Sequence, residues 1–161
     1  METVVEQFIG SDKPKSTSKI FQTVAIALLV IGIILMKASL ILFILVEVLA
    51  LGSFIGSYFM YIDYEYEMFE GNITVTKIYN ASRRTIAQKI EKDYVRKVYI
   101  TQKEDVSKKG VKSYYNSNMD ELEIYTFELK DNKIIQLALN YEMAKYVKIF
   151  YKEAMQFGGT Y

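Results

Sequence analysis

A nearly unbroken apolar stretch, residues 20–60, constrains this chain more than any other feature. Only Lys37 and Glu47 interrupt it with charge. A single helix of that length would be roughly 60 Å long, about twice the thickness of a bilayer's hydrocarbon core. A secretory signal peptide has a much shorter apolar core. The stretch therefore predicts two membrane-crossing helices, about 20–36 and 40–61, with a tight turn at Lys37.

A hairpin returns the chain to the side from which it entered, so the flanking charges predict its orientation. Lys13, Lys15 and Lys19 stand directly before the first predicted helix, whereas the turn carries one lysine. Basic flanks remain on the cytoplasmic side of a membrane. We therefore expect a cell-membrane protein with two spans and with both termini in the cytoplasm.

Glu47 is the one ionisable residue deep in the second predicted helix. Acids inside a membrane are costly and commonly functional. Three interpretations stay open: a carboxyl hydrogen-bonded within the hairpin through Gln22 or Thr23, a polar contact to another copy, or a proton or ion site. Gly52 and Gly56 have the spacing that permits close helix approach, and they either seat the first helix or are simply the small residues that are common in membrane helices.

The residues before the hairpin, 1–19, form a short cytoplasmic arm in this interpretation. Four of its apolar residues have helix-like spacing: Val4, Val5, Phe8 and Ile9. That spacing predicts either a short amphipathic helix on the membrane surface or a frayed terminus. Gly10, Ser11 and Pro14 are expected to break any helix before the apolar stretch.

After the hairpin, residues 62–161 change to the period-two pattern of β-strands. Asp63, Glu65 and Glu67 alternate with tyrosine and methionine, which predicts a half-buried strand with an acidic, solvated outer face. Such acids are about 7 Å apart along a strand, too far apart to form a cation site on their own. Further strands are predicted at 73–79, 84–90, 122–130 and 133–139, with a short one at 113–115. Residues 94–101 are predicted to form a strand, with a helix as the alternative.

The carboxy-terminal stretch 141–157 has one apolar stripe at helical spacing. Its members are Met143, Val147, Phe150, Ala154 and Phe157. Asn140 is suited to cap the start of this amphipathic helix, and Gly158 and Gly159 are suited to end it. We expect the helix to pack on the sheet.

The chain lacks the residues on which much enzyme chemistry depends. It has no cysteine and no histidine, and its net charge is +1. The absence of cysteine excludes disulfides and thiol nucleophiles. The absence of histidine removes the commonest general base and the commonest metal ligand. There is no phosphate-binding glycine loop, dinucleotide turn or serine-nucleophile pattern. We expect a non-enzymatic protein with no catalytic residues, no cofactor and no metal, and without nucleic-acid binding.

Arg83, Arg84 and Lys89 are the candidate residues for binding a lipid headgroup or a protein partner. Anionic headgroups attract each such cation by about 1 kcal/mol near a membrane. Ordinary surface charge that balances the nearby acids is the equally open alternative. The same two interpretations apply to a second basic group, Lys108, Lys109 and Lys112.

Six or seven short strands followed by one amphipathic helix look like the pleckstrin-homology (PH) superfold. A membrane hairpin before such a domain resembles the bacterial membrane-anchored PH-like proteins. Three segments are also similar to an uncharacterised family of small bacterial membrane proteins: Glu6-Gln7-Phe8, Tyr64-Glu65-Tyr66 and Ser82-Arg83-Arg84. The resemblance spans most of the chain. It implies an α+β fold, in which a transmembrane hairpin precedes an antiparallel PH-like domain capped by a carboxy-terminal helix, and it implies no activity.

Two functions fit these features. The first is a membrane-anchored, non-enzymatic module that presents a cytoplasmic PH-like domain to a protein partner or to anionic lipid headgroups. The second is a small oligomeric membrane component, such as a channel or transporter subunit, that uses Glu47. The lipid bilayer is a partner in both, and the second requires a homo-oligomer.

Overall fold

The computed structural model of the chain describes residues 4–10, 12–101, 110–116 and 121–155. These residues form two compact units. The hairpin unit comprises the described residues of Ser11–Ile62 and Tyr79–Arg83. The β unit comprises those of Met1–Gly10, Asp63–Ile78 and Arg84–Tyr161.

The hairpin unit is built on two antiparallel helices, α1 at Asp12–Leu35 and α2 at Leu40–Met60. The Ser39 hydroxyl oxygen accepts a hydrogen bond from the Leu42 N–H at 3.5 Å and so caps the start of α2. Both helices are long and apolar enough to cross a membrane, with mean hydropathies of 2.2 and 2.4 over their apolar parts. The predicted pair of helices, with its turn beside Lys37, is confirmed.

The beginning of α1 differs from the prediction, because the helix starts at Asp12 rather than near residue 20. The expectation that Pro14 breaks any helix there is wrong. Pro14 lies in the first turn, where backbone N–H groups have no intrahelical acceptor, so the missing N–H of proline costs nothing.

Small residues at heptad spacing form the contact between α1 and α2. Ser18, Ala25 and Gly32 are buried on α1, and Ala50 and Ser57 are buried on α2. A spacing of seven is that of a left-handed helix pair, and small side chains let the two backbones approach closely. The Ser18 hydroxyl donates to the Ser57 carbonyl oxygen at 2.8 Å, which fixes the register of the pair.

The glycine pair of α2 lies outside this contact. A Cβ atom added at Gly52 or Gly56 would meet no other atom within 4 Å. The expectation that these glycines seat α1 is therefore wrong. The outer faces of both helices are covered by large apolar side chains, and Ile34 and Ile41 are 67% and 72% exposed.

The β unit is built mainly from two four-stranded sheets. The strands are β1 Val4–Ile9, β2 Ile62–Phe69, β3 Asn72–Tyr79, β4 Arg83–Ile90, β5 Val95–Ile100, β6 Val111–Ser113, β7 Glu123–Leu129 and β8 Ile134–Leu139. The first sheet has the order β1-β2-β3-β4 and the second the order β5-β7-β8-β6. β6 runs parallel to β8, while β1 with β2, β5 with β7, and β7 with β8 pair antiparallel.

Both sheets and the last helix, α3 at Tyr141–Phe150, contribute to the core of the β unit. The largest fully buried side chains include Tyr66, Tyr125, Phe127, Met68 and Leu137. The Asn140 side-chain oxygen accepts from the Met143 N–H at 2.8 Å and caps α3, as the sequence predicts. The predicted α+β class, a helical hairpin followed by a β-rich domain with a carboxy-terminal helix, is confirmed.

The segment 4–9 of the amino-terminal arm is neither a helix nor a frayed end, so that expectation is wrong. It forms β1, which pairs antiparallel with β2 from Val4 opposite Phe69 to Ile9 opposite Tyr64. Val5, Gln7 and Ile9 are buried while their neighbours are exposed. The apolar residues of this segment fit both helical and strand spacing, so local sequence does not decide its conformation. Pairing with β2 decides it, because β2 supplies the backbone hydrogen bonds.

The carboxy-terminal helix is shorter than predicted, since α3 ends at Phe150 instead of residue 157. The chain then turns, and Ala154 uses its carbonyl oxygen to accept from the Val98 N–H of β5 at 2.9 Å. Met155 bridges Val98 in parallel. In a longer helix, this backbone would make intrahelical hydrogen bonds. Here it is hydrogen-bonded to the edge of β5 instead. Gly158 and Gly159, the predicted end of the helix, lie outside the described residues.

Two smaller predictions also need correction. The short strand β6 lies at Val111–Ser113 rather than at 113–115. The outer face of β2 is not uniformly solvated, because Asp63 is 2% exposed while Glu67 is exposed and Glu65 is half-buried. Buried and exposed side chains therefore alternate along β2 only after its first residues.

Candidate functional site

β4 carries the predicted binding residues Arg83, Arg84 and Lys89 and lies at the edge of the first sheet. Its first four residues, 83–86, are all exposed, and Ile86 is 57% exposed. Successive side chains of a strand point to opposite faces. Both faces of this half of β4 are therefore open.

The structure does not gather these three cations into one patch. Arg83 and Lys89 share a face of the strand, but they are about 20 Å apart along it. Arg84 points to the opposite face, where its Nη1 lies 3.6 Å from Glu65 Oε2. The arginine of this ion pair is 67% exposed, so the pair contributes little to stability. The three residues offer separate positive charges along an edge strand.

Lys89 lines a cleft of about 470 Å³ within the β unit. Three carboxylates, those of Glu67, Glu91 and Asp93, line the same cleft. The acids outnumber the single lysine, so the local potential opposes a phosphate or other anion. Lys89 is therefore a poor candidate for a headgroup contact at this cleft.

The other predicted charged groups give no site. Lys108 and Lys109 lie outside the described residues, and Lys112 is exposed on β6. Among the residues that the structure describes, no group of three or more acidic side chains is placed to hold a metal ion.

Glu47 lies on α2 against the backbone of α1. A Cβ atom added to Gly32 would stand 2.4 Å from Glu47 Oε1, so glycine makes the room that the carboxyl occupies. Oε1 is buried and has no hydrogen-bond partner among the described residues. The Thr23 hydroxyl donates to the Lys19 carbonyl oxygen at 3.0 Å.

The predicted hydrogen bond from Glu47 to Gln22 or Thr23 is therefore wrong. Gly32, which faces Glu47, is about 14 Å further along α1 than these two residues. The antiparallel register of α1 and α2 places Glu47 in the half of the hairpin nearer the turn, opposite Gly32. This register cannot be predicted from the sequence alone.

The turn between β3 and β4, Tyr79–Arg83, packs on the end of α2. The Asn80 N–H donates to the Tyr61 carbonyl oxygen at 2.9 Å. The ring of the tyrosine before Asn80 meets the Phe59 ring edge-on, with the centroids 6.3 Å apart. These contacts make Arg83 part of the hairpin unit. Sequence reasoning missed this contact, for which the chain carries no local signal.

Buried tyrosine hydroxyls connect distant segments of the β unit. The Tyr66 hydroxyl donates to the Tyr114 carbonyl oxygen and lies 3.4 Å from the Ala138 N–H. The Tyr151 hydroxyl donates to the Gly71 carbonyl oxygen at 2.5 Å. Burial raises the pKa of Tyr66 and the pKa of Tyr151 well above the ordinary value of a phenol. Both hydroxyls stay protonated at neutral pH and serve packing.

Two open grooves flank α3, with volumes of about 560 and 520 Å³. Ile149, which is 57% exposed, lines both. Each groove combines lysines with carboxylates, such as Lys145 with Glu123 in the smaller one. The mixed charge selects neither an anion nor a cation.

The described residues combine a hairpin of two exposed apolar helices, a candidate membrane anchor, with a β unit of two sheets and a carboxy-terminal helix. Residues 1–156 match the family described as bacterial PH-like domain (DUF6106), and the chain belongs to that family. The match includes the helical hairpin, so the family unites both parts of the architecture. Neither the comparison with curated proteins nor that with solved structures gives a match.

Proposed function

We propose that this chain is a membrane-anchored, non-enzymatic module that presents its PH-like domain for binding at the cytoplasmic face. The outer faces of α1 and α2 are apolar and exposed, which favours contact with lipid over contact with water. The lysines before α1 favour a cytoplasmic location of both termini.

The observation that carries the binding proposal is the exposure of β4. An edge strand with both faces open offers its backbone to an added strand, and its side chains then select the partner. Residues 84–90 of this strand, RTIAQKI, hold two cations, Arg84 and Lys89, and no acid. Two copies paired through β4 would place like charges together, which is destabilising. An extended acidic segment of a partner protein is the occupant that this strand favours over a lipid headgroup.

The test uses the full chain in nanodiscs of phosphatidylcholine and a blocked peptide of alternating glutamate and valine. Fluorescence anisotropy of the labelled peptide measures its affinity. We expect Arg84→Glu to weaken binding by roughly fivefold, with a shallower salt dependence than the parent chain. Lys148→Glu on α3 is the matched control, and we expect it to bind like the parent.

Equal affinity of the β4 variant and the parent would refute the role of β4. If the variant instead lost only its retention of anionic lipid, the surface would be a headgroup site, which is the other form of this proposal.

An oligomeric membrane component is the second candidate, and the unpartnered Glu47 Oε1 favours it. A polar group without a partner in hydrocarbon costs several kcal/mol, and a second hairpin could supply the missing partner. Crosslinking in native membranes should then give dimers or larger species that Glu47→Gln reduces. Lys37→Gln at the turn is the control. A protein that stays monomeric with and without Glu47 would eliminate this candidate.

A further inference from the structure

We propose that the end of the hairpin opposite its turn is a binding site for anionic phospholipid headgroups, formed by Lys15, Lys19 and Arg83. The inference rests on the proposed membrane anchoring, but it uses residues of the hairpin unit, Arg83 among them, rather than residues 84–90 of β4. Lys15 and Lys19 come from α1, and Arg83 comes from the turn after β3.

The register of the helix pair brings the two lysines to the end of α2. Ser18 is bonded to Ser57, and the helices are antiparallel. Lys15, one turn before Ser18, is therefore level with the last residues of α2. Lys19 follows Ser18 directly, and both lysines are exposed while Ser18 is buried.

The packing of the turn on α2 adds the third cation. The hydrogen bond from Asn80 to Tyr61 holds the turn against the helix end, and the Phe59 ring contact supports it. The Ser82 N–H donates to the carbonyl oxygen at the start of the turn at 3.0 Å, which closes it just before Arg83. Arg83 is exposed, so its guanidinium is available to a phosphate.

Charge in the hairpin unit is distributed unequally along its length. Its sequence holds two acids, Asp12 at the start of α1 and Glu47 in the half nearer the turn. Lys15, Lys19 and Arg83 therefore outweigh the acid at their end. An ammonium group attracts phosphate as a point charge, and a guanidinium can bind two phosphate oxygens at once.

A phospholipid fits this site better than a free phosphate because an apolar surface continues from the cations along the helices. Ile20 is 60% exposed, Ile55 is 50% exposed and Phe59 is 60% exposed. Acyl chains can lie on these side chains while the headgroup meets the cations. A soluble anion would gain the charge contacts alone.

The experiment is native mass spectrometry of the full chain released from mixed micelles that contain phosphatidylglycerol and phosphatidylcholine. Near a membrane, one cation favours an anionic headgroup by roughly fivefold. We expect the parent to retain phosphatidylglycerol at least about tenfold over phosphatidylcholine. The triple variant Lys15→Gln, Lys19→Gln and Arg83→Gln should lose that preference, and Lys15→Arg, Lys19→Arg and Arg83→Lys should keep it.

Two control variants separate this site from the proposed function. Lys37→Gln, at the turn, and Arg84→Gln with Lys89→Gln, on β4, should keep the preference for phosphatidylglycerol. The triple variant should still bind the acidic peptide in phosphatidylcholine nanodiscs, so failure of one proposal does not carry over to the other. Equal retention by the parent and the triple variant, or displacement of the lipid by millimolar inorganic phosphate, would overturn the inference.

Discussion

The side-chain amide of Gln7 on β1 is bonded to the main chain of Ala138 on β8, so one residue connects the two sheets. Its Nε2 donates to the Ala138 carbonyl oxygen at 3.0 Å. Its Oε1 accepts from the Asn140 N–H at 3.0 Å. Gln7 is 5% exposed. An amide is the side chain that can donate and accept in this way at once.

Replacing Gln7 by leucine should lower the free energy of unfolding of the β unit by about 2–4 kcal/mol, because the buried Ala138 carbonyl and the half-buried Asn140 N–H lose their partners. Urea unfolding of the full chain in micelles, followed by circular dichroism, measures this change. Glu6→Leu, on the exposed side of the same strand, is the control with little expected effect. A loss below about 0.5 kcal/mol for Gln7→Leu would contradict the bridging role.

Gly32→Leu should destabilise the hairpin, because any Cβ at this position would meet the Glu47 carboxyl at 2.4 Å. Gly32→Ala should cost less, since the end of the Glu47 side chain can move. Thermal unfolding in micelles checks the order of the two variants. Gly52→Ala is the matched control: nothing lies within 4 Å there, so the helix should gain about 0.5–1 kcal/mol. Equal effects at the two glycines would argue against the register.

Ala81→Gly should stabilise the protein by about 0.5–1 kcal/mol, because Ala81 has a φ of 56°, which glycine adopts without steric cost. Ala81→Val should destabilise it, since a β-branched residue is strained there. The melting temperature should shift upward by a few degrees for glycine and downward for valine. A lower melting temperature for Ala81→Gly would show that the turn does not hold this conformation.

Stability should fall in alkaline solution because burial raises the pKa of Tyr66 and the pKa of Tyr151. The unfolded chain releases these protons near pH 10, whereas the folded chain retains them. The folded state thus binds more protons above pH 10, and its stability decreases as pH rises through that range. Below about pH 10 their contribution is fully present.

Urea titrations between about pH 8 and pH 11 test this, with a slope of up to about 1.4 kcal/mol per pH unit for each buried phenol. Tyr151→Phe should reduce the slope. Tyr141→Phe should not, because Tyr141 is 87% exposed. An unchanged slope in Tyr151→Phe would mean that its hydroxyl ionises normally in the folded state.

The hairpin and most strands were predictable because their signals are local. Residues 20–60 are too long and too apolar for one span, and Lys37 marks the only charged break near the middle. Period-two alternation located β7 and β8, which lie within the predicted ranges 122–130 and 133–139.

The errors fall where a distant partner decides the local conformation. Residues 4–9 have apolar spacing that fits a helix, yet β2 supplies a ladder that makes them a strand. α3 stops at Phe150 because the following backbone is hydrogen-bonded to β5. In both cases long-range hydrogen bonds outweigh local propensity.

The candidate sites divide in the same way. The sequence predicted that Arg83, Arg84 and Lys89 form one group of cations near the membrane, but strand geometry separates them. It also identified Glu47, whose neighbour Gly32 depends on the register of two helices.

Composition and periodicity alone determined the two long apolar helices and the α+β class, and they predict the orientation, because burial in lipid or in a core requires apolar residues at fixed spacing. The tertiary structure alone decided which charges lie together. Lys19 and Arg83 are far apart in the chain, and they share one compact unit because the Tyr79–Arg83 turn packs on the end of α2. Contacts between distant segments cannot be predicted from periodicity, because the apolar pattern of each segment is the same whichever partner it packs against.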